Sequence, residues 1–340
     1  MKPKYRGAIV ALSVGLVVAI AYYGAIGYLV FNPQRIVDQA RVWAFTPTAA
    51  VKEQVSRDDM TAEGKFLYLS AHPKVESKRE FNQTCSAVTT DTSILGCYIE
   101  STKRIYLYHE TDARLDGTEE MMAAHEMLRA AWDRMSAAQQ KALVGPLHLV
   151  ESTNDDTTID LAGRMKEIRK DDPKDADAEL YAIVGSEVPS LSKVLETNYA
   201  QYLAKRDTVT TLSAHSRAYL VALQKKITTL AATMTDLKKT VDVERTSFNA
   251  AAAKLKSDVV AFNARASRIG GFPSEGAFNV ARQALLNREN ALNAKAKAIN
   301  IQIDTFNSDL PKLEALLKTA AGLIENLNID FEPLPNVIST

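Results

Sequence analysis

The sequence predicts a mostly α protein in three parts: an N-terminal transmembrane helix, a small helix-rich α+β domain, and a C-terminal antiparallel coiled-coil hairpin. Three observations carry that prediction. Gly7 to Phe31 contains no charged residue. The stretch from about 56 to 207 mixes a β-rich run with helical periods. From about residue 210 apolar side chains recur every three or four positions, almost to the end of the chain. With 340 residues, 46% of them hydrophobic, the chain is long enough for two domains with cores of their own. Its 41 basic and 41 acidic residues balance. Nothing in that balance points to nucleic acid, and no nucleic-acid partner is expected.

The first part opens with a short tip, residues 1–6, carrying Lys2, Lys4 and Arg6. At ~1.5 Å per residue the uncharged run 7–31 exceeds the roughly 20 residues needed to cross a bilayer. Basic residues precede it, whereas its far side mixes Arg35 and Arg41 with Asp38. The positive-inside rule then keeps the N-terminus cytoplasmic and places the bulk of the chain outside the cytoplasm. A cleaved signal peptide is the rival reading. Its apolar core would be about 7–15 residues with a small-residue cleavage site, and this run is longer and ends "YLVFNP". The lipid bilayer is thus the expected partner of residues 7–31, and a single-pass cell-membrane location is expected.

Residues 32–55 read as a short helical stalk. The domain over 56–207 follows, with "KRIYLYHE" as a run of alternating, β-rich character and helical periods from Glu119 to about Arg134 and from Ala176 to about Val184. The chain has two cysteines, Cys85 and Cys97. On the exported side they are expected to form one disulfide, closing a loop worth about 3 kcal/mol in the chain-entropy model. A free pair in a cytosolic protein is the alternative. Two thiolates alone cannot make a thiolate zinc site. The acidic clusters "NDDTTID" and "KDDPKDADAE" read as solvated loops.

Over 210–328 the positions Leu220, Leu223, Ile227, Leu230, Met234, Leu237 and Val241 step by alternating threes and fours, and Phe248, Leu255, Val259, Phe262 and Ile269 keep the phase. "GGFPSEG", 270–276, breaks the helix. A second seam follows through Leu285, Leu292, Ile299, Phe306, Leu313 and Leu317. Two such helices fold back on each other most simply as a hairpin, with Pro311 expected to kink the return helix. Pairing between two chains would satisfy the same seam, so self-association or a protein partner through the coiled coil stays open. Residues 329–340 form a tail.

The chemistry concentrates in "MMAAHEMLRAAW", 121–132. In zinc peptidases with H-E-x-x-H, two imidazoles four apart on one helix face grip the metal and the intervening Glu activates its water. Here His125 and Glu126 fill the first two roles, while Arg129 stands where the second imidazole belongs. A guanidinium is always charged and has no lone pair for a cation. Alone, the two-letter match is most simply a histidine bonding a neighbour. Its surroundings carry more. "ILGCYIESTKRIYLYHETDARLDGTEEMMAAHEMLRAAWDRMS", with "MTAEGKFLYLSAHPKV" and "FNQTC" upstream and "DAELYAIVGSEVPSLSKVLETNYAQYLAKRD" downstream, resembles a family of bacterial single-pass membrane proteins with a gluzincin-like zinc metallopeptidase domain and an A-H-E-M-L-H-A-A-[WY] helix. The resemblance covers most of 56–207. It implies zinc as cofactor, His125 as first ligand, Glu126 as general base, and Glu179 as third ligand with Glu187 as the competitor. Arg129 departs from that pattern at the second ligand. The expectation is therefore a degenerate, HExxR metallopeptidase-like domain outside the membrane, non-catalytic or weakly active, with a coiled-coil arm for envelope or partner contacts. An active zinc peptidase with an unusual ligand set, or an envelope scaffold acting through its coiled coil, are the alternatives. His109 is the other histidine considered as a substitute ligand. In the degenerate reading Arg129 replaces zinc as the charge between two helices, paired with Glu179 or Glu187.

Overall fold

The computed structural model describes residues 33–85 and 95–327. The chain is mostly helical, with one three-stranded sheet. It divides into two compact units at residue 220, a globular one before and a helical one after.

The globular unit begins with α1 (Pro33–Ala44), α2 (Ala49–Arg57) and α3 (Ala62–Ser70). α2 and α3 are each started by a threonine, Thr48 or Thr61, whose hydroxyl accepts a backbone N–H of the first turn. The residues expected as a helical stalk, 32–55, form α1 and most of α2 and belong to the globular unit. Val51 and Gln54 are buried. Asp38 is buried too, held by Arg134 through two 3.1 Å bonds. A buried carboxylate needs such a partner, and only the folded unit provides it.

Strands β1 (Lys74–Glu76), β2 (Gly96–Ile99) and β3 (Arg104–Tyr108) lie in the order β1-β3-β2, with β1 parallel and β2 antiparallel to β3. The alternation in "RIYLY" separates two faces. Ile105 and Leu107 point into the main core, while Tyr106 and Tyr108 pack on a small cluster of Phe81, Cys85 and Cys97. The disulfide Cys85–Cys97 ties α4 (Lys78–Cys85) to β2 across that second face.

Beyond the sheet come α5 (Thr118–Arg134), α6 (Ala137–Thr153), α7 (Leu161–Asp171), α8 (Ala176–Glu187) and α9 (Lys193–Tyr199). The sequence assigned no helix to α6 or α7. Yet Ser136 and Gln139 form a reciprocal capping box at the start of α6, a signature legible in "SAAQ". α5 is the central helix and is buried along most of its length. Ala123, Ala124, Ala130 and Ala131 are all buried, and small side chains there let neighbouring helices approach closely.

Two helices complete the chain, α10 (Arg206–Ala266) and α11 (Glu275–Leu327). Arg206 to Leu220 belong to the globular unit, and the rest of α10 with α11 makes an antiparallel hairpin. Asp258 with Arg288 at 2.6 Å and Ser247 with Lys295 at 3.0 Å lie opposite each other in its register. Far from the turn the seam is buried, at Leu223, Ile227, Met234, Ile299, Leu313 and Leu323. Nearer the turn Phe248, Leu255, Phe262, Leu285 and Leu292 are half-buried. α11 runs through Pro311 as one helix.

The transmembrane part of the predicted fold class is corrected. Gly7 to Phe31 lie outside the described residues, and among the described residues no helix is long and apolar enough to cross a membrane. The two longest, α10 and α11, carry charged side chains throughout. The single-pass, extracytoplasmic location and the membrane anchor are set aside with it.

Candidate functional site

The site is a seam of charge between α5 and α8. Both helices are almost wholly buried there, and they approach closely because α8 carries Gly185. A methyl group at that position would come within 2.5 Å of Leu128 on α5 and of Tyr199. On α5, His125 and Arg129 are one turn apart. On α8, Asp175 at the start, Glu179 one turn on and Ser186 two turns beyond lie along a single face.

These residues mesh in antiparallel order. His125 Nε2 lies 3.1 Å from Glu179 Oε1, and its Nδ1 lies 3.4 Å from the hydroxyl of Ser186. Ser186 donates to the carbonyl of Ala182 at 2.8 Å, so its oxygen faces the imidazole as an acceptor. Both ring nitrogens therefore face acceptors, the Ser186 oxygen and the Glu179 carboxylate, which favours an N–H on each. Arg129 reaches the other oxygen, with Nε 3.4 Å from Glu179 Oε2, and its terminal nitrogen forms an ion pair with Asp175. The Nε contact is an ion pair by distance without hydrogen-bond alignment, and this nitrogen has no hydrogen-bond acceptor. The order is cation, anion, cation, anion: His125, Glu179, Arg129, Asp175.

Burial and charge pull the protons accordingly. Burial alone would raise the Glu179 carboxyl, but His125 and then Arg129 outweigh it and bring it down to about 2. Burial alone would lower His125, but the Glu179 carboxylate outweighs it and raises the imidazole above its ordinary value. Glu126 behaves differently. Burial pushes its carboxyl up, against the pull of His125 and Arg129. It lies against β2, where a side chain on Gly96 would meet its Cγ and Oε1 at 2.9 Å. Its Oε2 is buried without a hydrogen-bond partner.

Glu187, the competing ligand, is engaged elsewhere. Arg164 holds it through bonds of 2.8 and 2.9 Å, and Arg217 approaches to 3.3 Å. The other histidines also have partners outside the seam. His109 faces Glu119 at 3.0 Å, His148 faces Asp177 at 3.0 Å, His72 bonds the carbonyl of Arg41 at 2.8 Å, and His215 lies near the carbonyl of Asp116.

The donor set does not fit zinc. Catalytic zinc takes three protein ligands, and here one imidazole and one carboxylate are accompanied by a fixed cation beside that same carboxylate. Among the described residues no group of three or more His, Cys, Asp or Glu side chains could hold a metal ion.

One participant, and one buried carboxyl outside the seam, were beyond the reach of sequence reasoning. Asp175 completes the seam, and its only sequence signal is its place one turn before Glu179. Asp58, at the end of α2, is wholly buried with both carboxylate oxygens unpartnered, and burial followed by the nearby Glu120 pushes its pKa well up. Arg57 beside it pairs with Asp116 at 3.0 Å and Glu120 at 2.7 Å. Comparison of the chain with protein-family models, curated proteins and solved structures finds no match.

Proposed function

We propose that the chain is a non-hydrolytic relative of zinc metallopeptidases in which Arg129 occupies the charge position of the metal and locks α5 to α8, while the α10–α11 hairpin serves as an arm for contacts with a partner. The observation that carries the first half is the placement of one guanidinium between Asp175 and Glu179, with His125 on the remaining oxygen of Glu179. A carboxylate buried without a counter-charge is costly, and loss of a metal would leave Glu179 in that state. Arginine supplies the missing positive charge without needing an electron-pair donor. What the joint then does is mechanical. It holds the central helix in register with α8, while burial raises the pKa of the Glu126 carboxyl and leaves its Oε2 without a hydrogen-bond partner.

Metal analysis of the purified full-length chain after incubation with zinc tests the reading. Far less than one zinc per chain is expected, and stoichiometric zinc overturns it. The Arg129→His variant restores an electron-pair donor one turn from His125 and is expected to gain zinc binding. Glu126→Gln is expected to leave the function of the protein unchanged, and a loss with the fold intact would instead favour a working peptidase.

A further inference from the structure

The hairpin turn is built as an ordered surface. Phe262, Phe272 and Phe278 pack on one another with ring centroids 5.2–5.3 Å apart. Arg265 lies over Phe272 at 4.3 Å and donates from Nε to the carbonyl of Gly271 at 2.6 Å. On this frame Ile269 is fully exposed, and Val260 and Val280 are exposed on the adjoining turns of helix. Arg265, Arg268 and Arg282 are also exposed and have no carboxylate partner among the described residues, whereas Arg288, further from the turn, has Asp258. An ordered apolar knob ringed by unneutralised arginines is the composition of a contact surface.

Charge points to what meets it. Residues 221–325 carry 15 Lys and Arg against 10 Asp and Glu, a net +5, and residues 33–220 carry 23 against 29, a net −6. The free acidic groups of the globular unit include both ends of α7. Asp155, Asp156 and Asp160 stand before it and Asp171 and Asp172 at its end, all exposed and none in an ion pair among the described residues; they outnumber the exposed Lys166 and Lys174 of the same segment, whose Arg164, Arg169 and Lys170 pair with Glu187, Glu151 and Glu167. The bonds that Asp156, Asp160 and Asp172 make are local, to the backbone N–H groups of Thr158, Gly163 and Lys174.

We infer that the hairpin tip of one copy docks on the acidic edge around α7 of a second copy, Arg265, Arg268 and Arg282 facing Asp155, Asp156, Asp160, Asp171 and Asp172, with Ile269 as the apolar contact. This names the partner of the arm and so rests on the arm half of the proposed function. It is independent of the Arg129 joint, which is read by zinc content instead. Ion pairs at an exposed rim act within a Debye length of about 8 Å, so the contact weakens with salt.

Sedimentation velocity of the full chain over a range of concentrations tests it. Concentration-dependent association at low salt, lost at high salt, is expected. The double variant Arg268→Glu with Arg282→Glu is expected to weaken association at least about ten-fold, as is Asp155→Arg with Asp156→Arg. An equimolar mixture of these two variants is expected to associate again, because each reversed surface then meets its complement. Ile269→Asp, which leaves those charges in place, should weaken association as well. A wild-type chain that stays monomeric at every concentration overturns the inference. So does association that neither reversal weakens, or a mixture that fails to restore it.

Discussion

The α5–α8 seam and the α10–α11 hairpin are both pairs of antiparallel helices, and they are held together by opposite means. In the seam, charges sit inside: His125 is buried, and Arg129 and Glu179 are nearly so. The cost of desolvating them is offset only because each counter-charge is in place. In the hairpin, apolar side chains form the seam and the charges stay on the outer faces, so no single residue is indispensable. The seam gains a unique register at the risk of collapse when one group is lost. The hairpin gains tolerance, and beside the turn its seam is only half-buried.

The sharpest way to break this contrast is Arg129→Ala. Removing the cation leaves Glu179 uncompensated and is expected to cost about 3–5 kcal/mol. Urea unfolding followed by tryptophan fluorescence measures it cleanly, because Trp43 and Trp132 both lie in the globular unit. Replacing the pair together, Arg129→Met with Glu179→Leu, should recover most of that loss, since an apolar pair of similar size removes the desolvation term as well.

Next in size is a comparison of equal truncations. Met127→Ala, at a fully buried position of α5, should cost about 2–5 kcal/mol. Leu255→Ala in the half-buried seam should cost roughly 1 kcal/mol, read from the helical circular-dichroism signal. Equal losses at the two sites would mean that the hairpin seam is covered by something else.

A smaller effect separates two buried carboxyls by pH. Glu179 is held down at about 2, so its contribution is complete above its ordinary 4.5 and is lost as pH falls through about 2. Asp58 is pushed up, so its contribution is complete below 3.8 and is lost as pH rises toward its elevated value. Asp58→Asn should therefore gain on the wild type progressively above pH 3.8, whereas Glu179→Gln should lose ground over the range from 2 to 4.5. Thermal melts across that range decide both signs. The smallest effect is expected in the hairpin: Arg288→Ala breaks an exposed pair with Asp258 and should leave the melting midpoint unmoved at physiological salt.

Local features were legible before any coordinates. The period that places His125 and Arg129 on one face, the helix breaker before Glu275, and the spacing of Cys85 and Cys97 are properties of near neighbours in the chain. Other residues were misjudged because their environment lies far away in sequence. Residues 32–55 read as a helical stalk, and nothing local to them showed that Arg134 would pair with the buried Asp38 or that Glu119 would accept from the buried Gln54. Glu187 read as a candidate ligand because nothing nearby revealed that Arg164 and Arg217 claim it. The membrane-spanning reading of residues 7–31 rested on hydropathy and falls outside the described residues.

What the sequence by itself determined is the set of periodic elements and the absence of an electron-pair donor at Arg129, one turn after His125, because helix periodicity and side-chain chemistry need no knowledge of the fold. What only the tertiary structure decided is where that arginine's charge goes. Asp175 and Glu179 accept it because α8 packs against α5 with Gly185 at the crossing, a closeness set by packing across 45 residues or more of intervening chain.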